Sequence, residues 1–344
     1  MARDMADQPG VLRGLLTDGA GAIAEVAAEV ARSRPRFVLF AARGTSDHAA
    51  LYAKYLAEIR LGLPVGLASP STLSVYGSRP DLSDVLVVGV SQSGGSPDLV
   101  NYLQVAGECG ALTVAVTNTP GSPLNQVAAL EVDVAAGTEL AVAATKTYTA
   151  ELLALLLLFE GVRAGDGRIT FDDLPGLAAL PDLAEELLAD HAASALSSRY
   201  RFANRLVVTG RGYAYPTARE AALKLMETSY VAAQAFSGAD LLHGPLAMAD
   251  PGLPVLAIVG NGPGGRAMAE VIDRVAERGA DLLVVGPEGT GGGAVHRIVT
   301  PSVDEAVAPI LDILPLQALA RHLAVARGDD PDAPRGLRKV TETL

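Results

Sequence analysis

The chain of 344 residues carries a formal net charge of −12 and one cysteine, Cys109. That length corresponds to about two domains of ordinary size, and the acidic balance argues against a nucleic-acid partner, which would need clustered Lys and Arg. A single thiol excludes an intramolecular disulfide or a cysteine-rich zinc cluster.

The opening stretch, MARDMADQPGVLRGLL, has no basic segment followed by an apolar one, so no signal peptide is expected. The longest apolar run, Leu152 to Phe159, is far short of the ~20 residues that span a bilayer, so no membrane partner is expected either. A cytoplasmic protein is the expectation.

In chain order, residues 1–34 are rich in Ala and Val with interspersed charges and predict an N-terminal helical segment. From 35 to 170, apolar runs at Phe37–Phe40, Val85–Val90, Leu112–Val116 and Leu130–Val134 alternate with helical stretches, and a long helix is expected from about Thr145. Continuous apolar runs mark strands covered on both faces of a parallel sheet. Gly and Pro over 161–183 break the helical pattern and place the domain boundary within about 165–195, with Leu187–Ser198 as a helix leading onward.

The same order returns over 190–328, with strands at Arg205–Thr209, Pro254–Val259 and Leu282–Val285. Gly44 and Gly212 lie 168 residues apart, and Gly94 and Gly264 lie 170 apart. So constant an offset argues for internal duplication: two doubly wound α/β domains, each with a parallel sheet. The last segment, 329–344, is polar and interrupted by Pro and Gly, the composition of a frayed tail.

Two features carry chemistry. The turn Ser91-Gln92-Ser93-Gly94-Gly95-Ser96-Pro97-Asp98 follows a buried strand and opens a helix, with Ser96 placed as N-cap and Pro97 as the first helical residue. Free backbone N–H groups, the helix dipole, three serine hydroxyls and the Gln92 amide suit a phosphate monoester, whereas the lysine of a nucleotide P-loop is missing. A serine-rich capping turn without a ligand would read the same way. Gly44-Thr45-Ser46 has equivalent placement after the preceding strand, and two such turns can converge at a topological switch point. The matching turn of the second half, Gly260-Asn261-Gly262-Pro263-Gly264-Gly265, has lost every hydroxyl.

The second feature is a helix opened by Pro216, on which Glu220, Lys224 and Glu227 share one face at i, i+4 and i+7. Alone, such a stripe is usually a solvated one. His48 reads as a surface or structural residue and Lys146 as one that orients or caps a loop. His191, His296 and His322 are isolated, so no metal site is expected, and the G-x-S-x-G elbow is absent.

Together these stretches resemble the SIS (sugar isomerase) family in its tandem form, as in the isomerase half of glucosamine-6-phosphate synthase. Six motifs in order carry the resemblance: Gly44-Thr45-Ser46-Asp47-His48, Ser91-Gln92-Ser93-Gly94, Val142-Ala143-Ala144-Thr145-Lys146, the stretch Glu220 to Tyr230, His243-Gly244-Pro245-Leu246, and Pro334-Arg335-Gly336-Leu337-Arg338-Lys339. The resemblance implies that Thr45, Ser46, Ser91, Gln92, Ser93 and Ser96 hold a sugar phosphate while Val142 and Ala143 lie against the sugar. It implies that Glu227 shuttles a proton between C1 and C2, supported by Lys224 and Glu220. His243 would assist ring opening from a second subunit, and Lys339 would contact the open-chain sugar, making the tail an ordered part of the site. A homodimer with a shared active site and no metal or organic cofactor is implied.

The departures narrow the activity. The chain begins with a helix-like segment and shows no glutaminase domain. Gly95 stands where the synthase usually has Glu, Ala144 where it has Ser, Leu242 where it has Lys and Asp240 where it has Glu. The Ser-Gly-Gly-Ser-Pro-Asp turn is closer to stand-alone SIS deaminases of amino-sugar phosphates. The expected reaction is therefore glucosamine 6-phosphate plus water to fructose 6-phosphate plus ammonia. A phosphosugar isomerase, a fructosamine-phosphate deglycase and a non-catalytic sugar-phosphate sensor are the alternatives. Proton abstraction beside a carbonyl favours a carboxylate of raised pKa, expected here from burial of Glu227 against Leu223 and Met226. Ring opening suits the imidazole of His243.

Overall fold

The computed structural model describes residues 1–294, 296–337 and 339. The chain divides into two compact units. The first holds Gly10–Glu139 and Lys146–Thr170; the second holds Met1–Pro9, Leu140–Thr145 and Phe171–Leu337.

The first unit is built on five parallel strands in the order β2-β1-β3-β4-β5: β1 (Phe37–Ala41), β2 (Val65–Leu67), β3 (Val85–Ser91), β4 (Leu112–Thr117) and β5 (Leu130–Asp133). From Leu86 onward β3 is buried throughout, because helices cover both faces of a parallel sheet. The helix Lys146–Ala164 is buried along its length to Gly161, so it is apolar all round and shows no helical period. It packs against the helix Ala20–Ser33, which buries Ile23, Ala27 and Val30. Its free amino-terminal N–H groups are met by the Glu139 carboxylate, which accepts from Lys146 and Thr147, each at 3.1 Å.

The second unit repeats this plan with β6 (Arg205–Gly210), β7 (Ala232–Ser237), β8 (Pro254–Ile258), β9 (Asp281–Gly286) and β10 (His296–Val299), all parallel. The order β10-β9-β8-β6-β7, read from its other edge, is that of the first sheet, which is the duplication expected from the offsets. The helix Ala214–Ser229 buries Thr217, Ala218, Ala221 and Leu225 and packs on the helix Ala308–Arg327. At its carboxyl end the Ser229 hydroxyl donates to the Ala320 carbonyl at 3.2 Å. No helix among the described residues is long and apolar enough to cross a membrane.

Some expected elements differ. β2, β7 and β10 are edge strands, short or half-exposed, and lack the continuous apolar run that identifies a buried strand. In place of one helix over Leu187–Ser198 there are two, Leu180–Ala189 and Ala192–Tyr200, separated at Asp190-His191. Pro181 sits in the first turn of the former, where its missing N–H costs nothing, so it starts a helix where a break was expected. The helix expected to open at Pro216 starts two residues earlier, at Ala214.

Candidate functional site

The two hydroxyl-bearing turns lie together in the first unit. β1 and β3 are neighbours, pairing Ala41 with Gly89, and the chain leaves them toward opposite edges of the sheet, so their carboxyl ends flank a switch point. An ion pair joins the two turns: Arg43, just after β1, donates to the buried Asp98 carboxylate at 2.6 Å in the first turn of the helix Pro97–Glu108. Nothing in the local pattern around Arg43 signals this partner 55 residues away.

Within the Ser91–Ser96 turn, the Ser91 hydroxyl oxygen accepts from the Gly94 N–H at 3.1 Å, and that of Ser93 accepts from Gly95 at 3.2 Å. Both serines thus use lone pairs to shape the turn, and among the described residues neither O–H has an acceptor. Ser96 occupies the N-cap position but makes no capping bond, which leaves its hydroxyl unengaged as well. The Gln92 carbonyl accepts from Asn118 and Thr119, both at 3.2 Å, and its side-chain amide stays unused among the described residues. Gly94 has φ +59, and a Cβ there would come within 2.0 Å of the Ser122 hydroxyl, so the turn requires glycine.

Thr45 opens the helix Thr45–Leu56. Ser46 is engaged otherwise: its hydroxyl donates to Glu151 at 2.8 Å in a buried contact. To donate to a phosphate it would have to rotate away from that carboxylate. His48, read as a surface or structural residue, is buried on the same helix.

In the second unit the Glu220, Lys224 and Glu227 stripe is not solvated. Lys224 Nζ lies 3.3 Å from Glu220 and 2.6 Å from Glu227; the Lys224 and Glu220 side chains are wholly buried, and that of Glu227 is 22% exposed. Burial by itself lowers the Lys224 pKa, but the two carboxylates outweigh it and hold the ammonium above its ordinary value. The surroundings of Glu227 differ from expectation. Met226 points outward at 42% exposure, and the charged neighbour in contact with this carboxylate is Lys224. The group reaching the surface of this row is thus a carboxylate backed by a buried cation.

The turn in this unit that matches Ser91–Ser96 is occupied by its own chain. The Glu305 carboxylate accepts from the Gly264 N–H at 2.9 Å and the Gly265 N–H at 3.4 Å. Desolvation raises the Glu305 pKa, although these two backbone donors and Arg266 pull the other way. A Cβ on Gly262 or Gly264 would strike the Glu305 carboxylate, which accounts for the glycines.

His243 caps the short helix Gly238–Leu242, and its exposed imidazole has no partner among the described residues. Val142 is half-buried and Ala143 fully buried, so Ala143 offers no side-chain surface to a sugar. Part of the tail is anchored: the Arg335 guanidinium lies 3.8 Å from the centre of the Tyr230 ring, and the Arg335 N–H donates to the Tyr230 hydroxyl at 2.8 Å. Tyr230, at φ +54, is the residue that ends the Ala214–Ser229 helix. Lys339 is half-buried, while Arg338 lies outside the described residues. His191 and His322 are not isolated from each other, since burial, Arg321 and His191 together lower the His322 pKa. No group of three or more His, Cys, Asp or Glu among the described residues is placed to hold a metal ion.

A family model for the SIS domain matches the chain twice, over residues 33–161 and 200–327. Glutamine–fructose-6-phosphate aminotransferase (isomerizing) from Thermococcus kodakarensis is 36% identical over 98% of the chain, and the same enzyme from Escherichia coli is 33% identical over 98%. The chain spans 57% and 58% of the lengths of those two proteins. Among solved structures, a candidate phosphosugar isomerase from Silicibacter pomeroyi is 36% identical, with a TM-score of 0.84 over 96% of this chain and 99% of that one. Glucosamine-6-phosphate deaminase from Thermotoga maritima shares the fold, with a TM-score of 0.80 over 99% of both chains at 20% identity. With one match on each five-stranded sheet, the chain belongs to the SIS domain family as a tandem member.

Proposed function

We propose that the chain is an amino-sugar-phosphate deaminase, converting glucosamine 6-phosphate and water to fructose 6-phosphate and ammonia. The observation that carries this reading is the Lys224–Glu227 pair. Burying a lysine completely is costly, and a structural stripe on a helix surface would leave it in water. A partly exposed carboxylate fixed in place by a buried cation is positioned to reach a substrate and to carry a proton from one carbon to the next.

The phosphate is held by the hydroxyls of Ser91, Ser93 and Ser96 and the side-chain amide of Gln92, together with Thr45. His243 assists opening of the pyranose ring to the C1 aldehyde. Glu227 then removes the C2 proton and delivers it to C1, while the C1 oxygen gains a proton and the C2 amine gives one up, leaving a hydroxymethyl group at C1 and an imine at C2. Water adds to C2 and ammonia departs, which balances the reaction. Lys224 and Glu220 position Glu227, and Lys339 contacts the open-chain sugar. A homodimer in which His243 serves its partner's site is part of the proposal, in keeping with an exposed imidazole that has no partner among the described residues.

Phosphosugar isomerisation is the second reading, favoured by the 36% identity to the Silicibacter pomeroyi chain. The test is ammonia release from glucosamine, galactosamine and fructosamine 6-phosphates, by the native protein and by Glu227→Gln. Ammonia is expected from the gluco substrate, falling about 100-fold or more in the variant with sugar-phosphate binding retained. No ammonia from any of the three, alongside interconversion of unaminated aldose and ketose phosphates, would replace deamination with isomerisation. Partial activity on mixing Glu227→Gln with His243→Ala is the outcome expected of a site shared between subunits.

A further inference from the structure

The first sheet has a second concave feature at its other end. A cleft of about 760 Å³ is lined by Arg32, Arg34, Arg60 and Arg163, with Pro35 and Leu63 among its apolar walls. Pro35 lies just before β1 and Leu63 just before β2, so the cleft sits at the amino-terminal edge of the sheet, opposite the edge that carries Ser91–Ser96. No carboxylate among the described residues lines it, on a chain whose net charge is −12.

The arginines are arranged rather than scattered. One buried carboxylate, Glu160, receives Arg60 at 2.6 Å on one oxygen and Arg163 at 2.7 Å on the other, and so fixes both guanidiniums at the rim. Arg32 pairs with Glu29. Arg34 has no side-chain partner among the described residues, and its backbone is left-handed, at φ +49 and ψ +57, where it ends the helix Ala20–Ser33. Glycine fills this capping position at Gly62 and Gly328, and glycine or asparagine is the residue expected there. An unpaired arginine held in a conformation that disfavours its side chain points to a use for that side chain.

Four guanidiniums give the cleft a cationic lining suited to a diphosphate. Their forked donors match phosphate oxygens, and the apolar walls face the remainder of a ligand larger than inorganic phosphate. We propose that this cleft is a second ligand site, separate from the sugar-phosphate turn, that takes an organic diphosphate of nucleotide size.

The test is calorimetric titration of the full chain with ADP, pyrophosphate and adenosine at low salt. The native protein is compared with an Arg32→Ala, Arg34→Asn double variant and with Ser91→Ala. Asparagine tolerates the left-handed backbone, so an unchanged melting temperature verifies that the double variant is folded. ADP is expected to bind, more tightly than pyrophosphate and far more tightly than adenosine. The double variant should lose about tenfold or more in affinity, while Ser91→Ala loses none. No ADP binding at millimolar concentration, equal binding in the double variant, or pyrophosphate as tight as ADP would each overturn the proposal.

Discussion

The Glu305 carboxylate lies 2.9 Å from the backbone N–H of Gly264, in the turn that corresponds in the second SIS domain to the serine turn of the first. The duplicated turns have therefore diverged in what satisfies them. One keeps three serine hydroxyls with protons to give, and the other carries an internal anion.

Replacing Glu305 with Ala leaves these N–H groups without their acceptor. A loss of about 1–3 kcal/mol in unfolding free energy is expected, with part of it recovered in phosphate because the freed donors suit an anion. Urea unfolding with and without phosphate measures both effects. An unchanged midpoint without phosphate would mean that the contact contributes nothing.

In the first domain, Ser93→Ala removes a free hydroxyl and the acceptor for Gly95, and Ser91→Ala also releases Gly94, which sits at φ +59. Each is expected to weaken sugar-phosphate binding by about 1–2 kcal/mol, appearing mainly as a higher KM. Ser46→Ala should cost less in binding, since its proton is already given to Glu151. Titration with a non-reacting hexitol 6-phosphate distinguishes the three.

Lys224→Met removes the cation that contacts both Glu220 and Glu227 and leaves two carboxylates facing each other, one of them wholly buried. A destabilisation of about 3–5 kcal/mol at neutral pH is expected, easing toward acid as one carboxylate takes up a proton. In the native chain the folded-state pKa of Lys224 is raised, so its stabilising contribution is complete below the ordinary lysine range and is lost as pH rises through the folded value. Denaturant midpoints across pH for both proteins check the sign.

Asp312, buried in the helix Ala308–Arg327, has its pKa raised to about 7 by desolvation, opposed by a 2.7 Å hydrogen bond from Thr300. The folded state holds this proton to higher pH than the unfolded state does, so stability falls between about pH 4 and pH 7 and then levels. Asp312→Asn keeps an acceptor for Thr300 and removes the titration. It should flatten that slope and gain roughly 1–4 kcal/mol at pH 8, measured by chemical denaturation. A slope unchanged by the substitution would assign it to other groups.

Much of this protein was legible along the chain. The runs at Phe37, Val85, Leu112, Arg205, Pro254 and Leu282 are strands buried on both faces, and that environment leaves an unbroken apolar signature. The repeat offset, the serine turn and the Glu220, Lys224, Glu227 row are likewise written in local spacing. The edge strands β2, β7 and β10 were not legible, because half-exposed strands can be polar, and Pro181 was misread because a first-turn proline looks like a breaker in sequence. Only tertiary structure decided what each charge is for: Asp98 belongs to Arg43, Glu151 takes the Ser46 hydroxyl, and Glu305 fills a turn some 40 residues before it. It also decided that Lys224 is buried while Met226 is exposed, the reverse of what hydropathy assigns. Burial and pairing are set by which elements pack together across the chain, and that packing leaves no trace in the spacing of neighbouring residues.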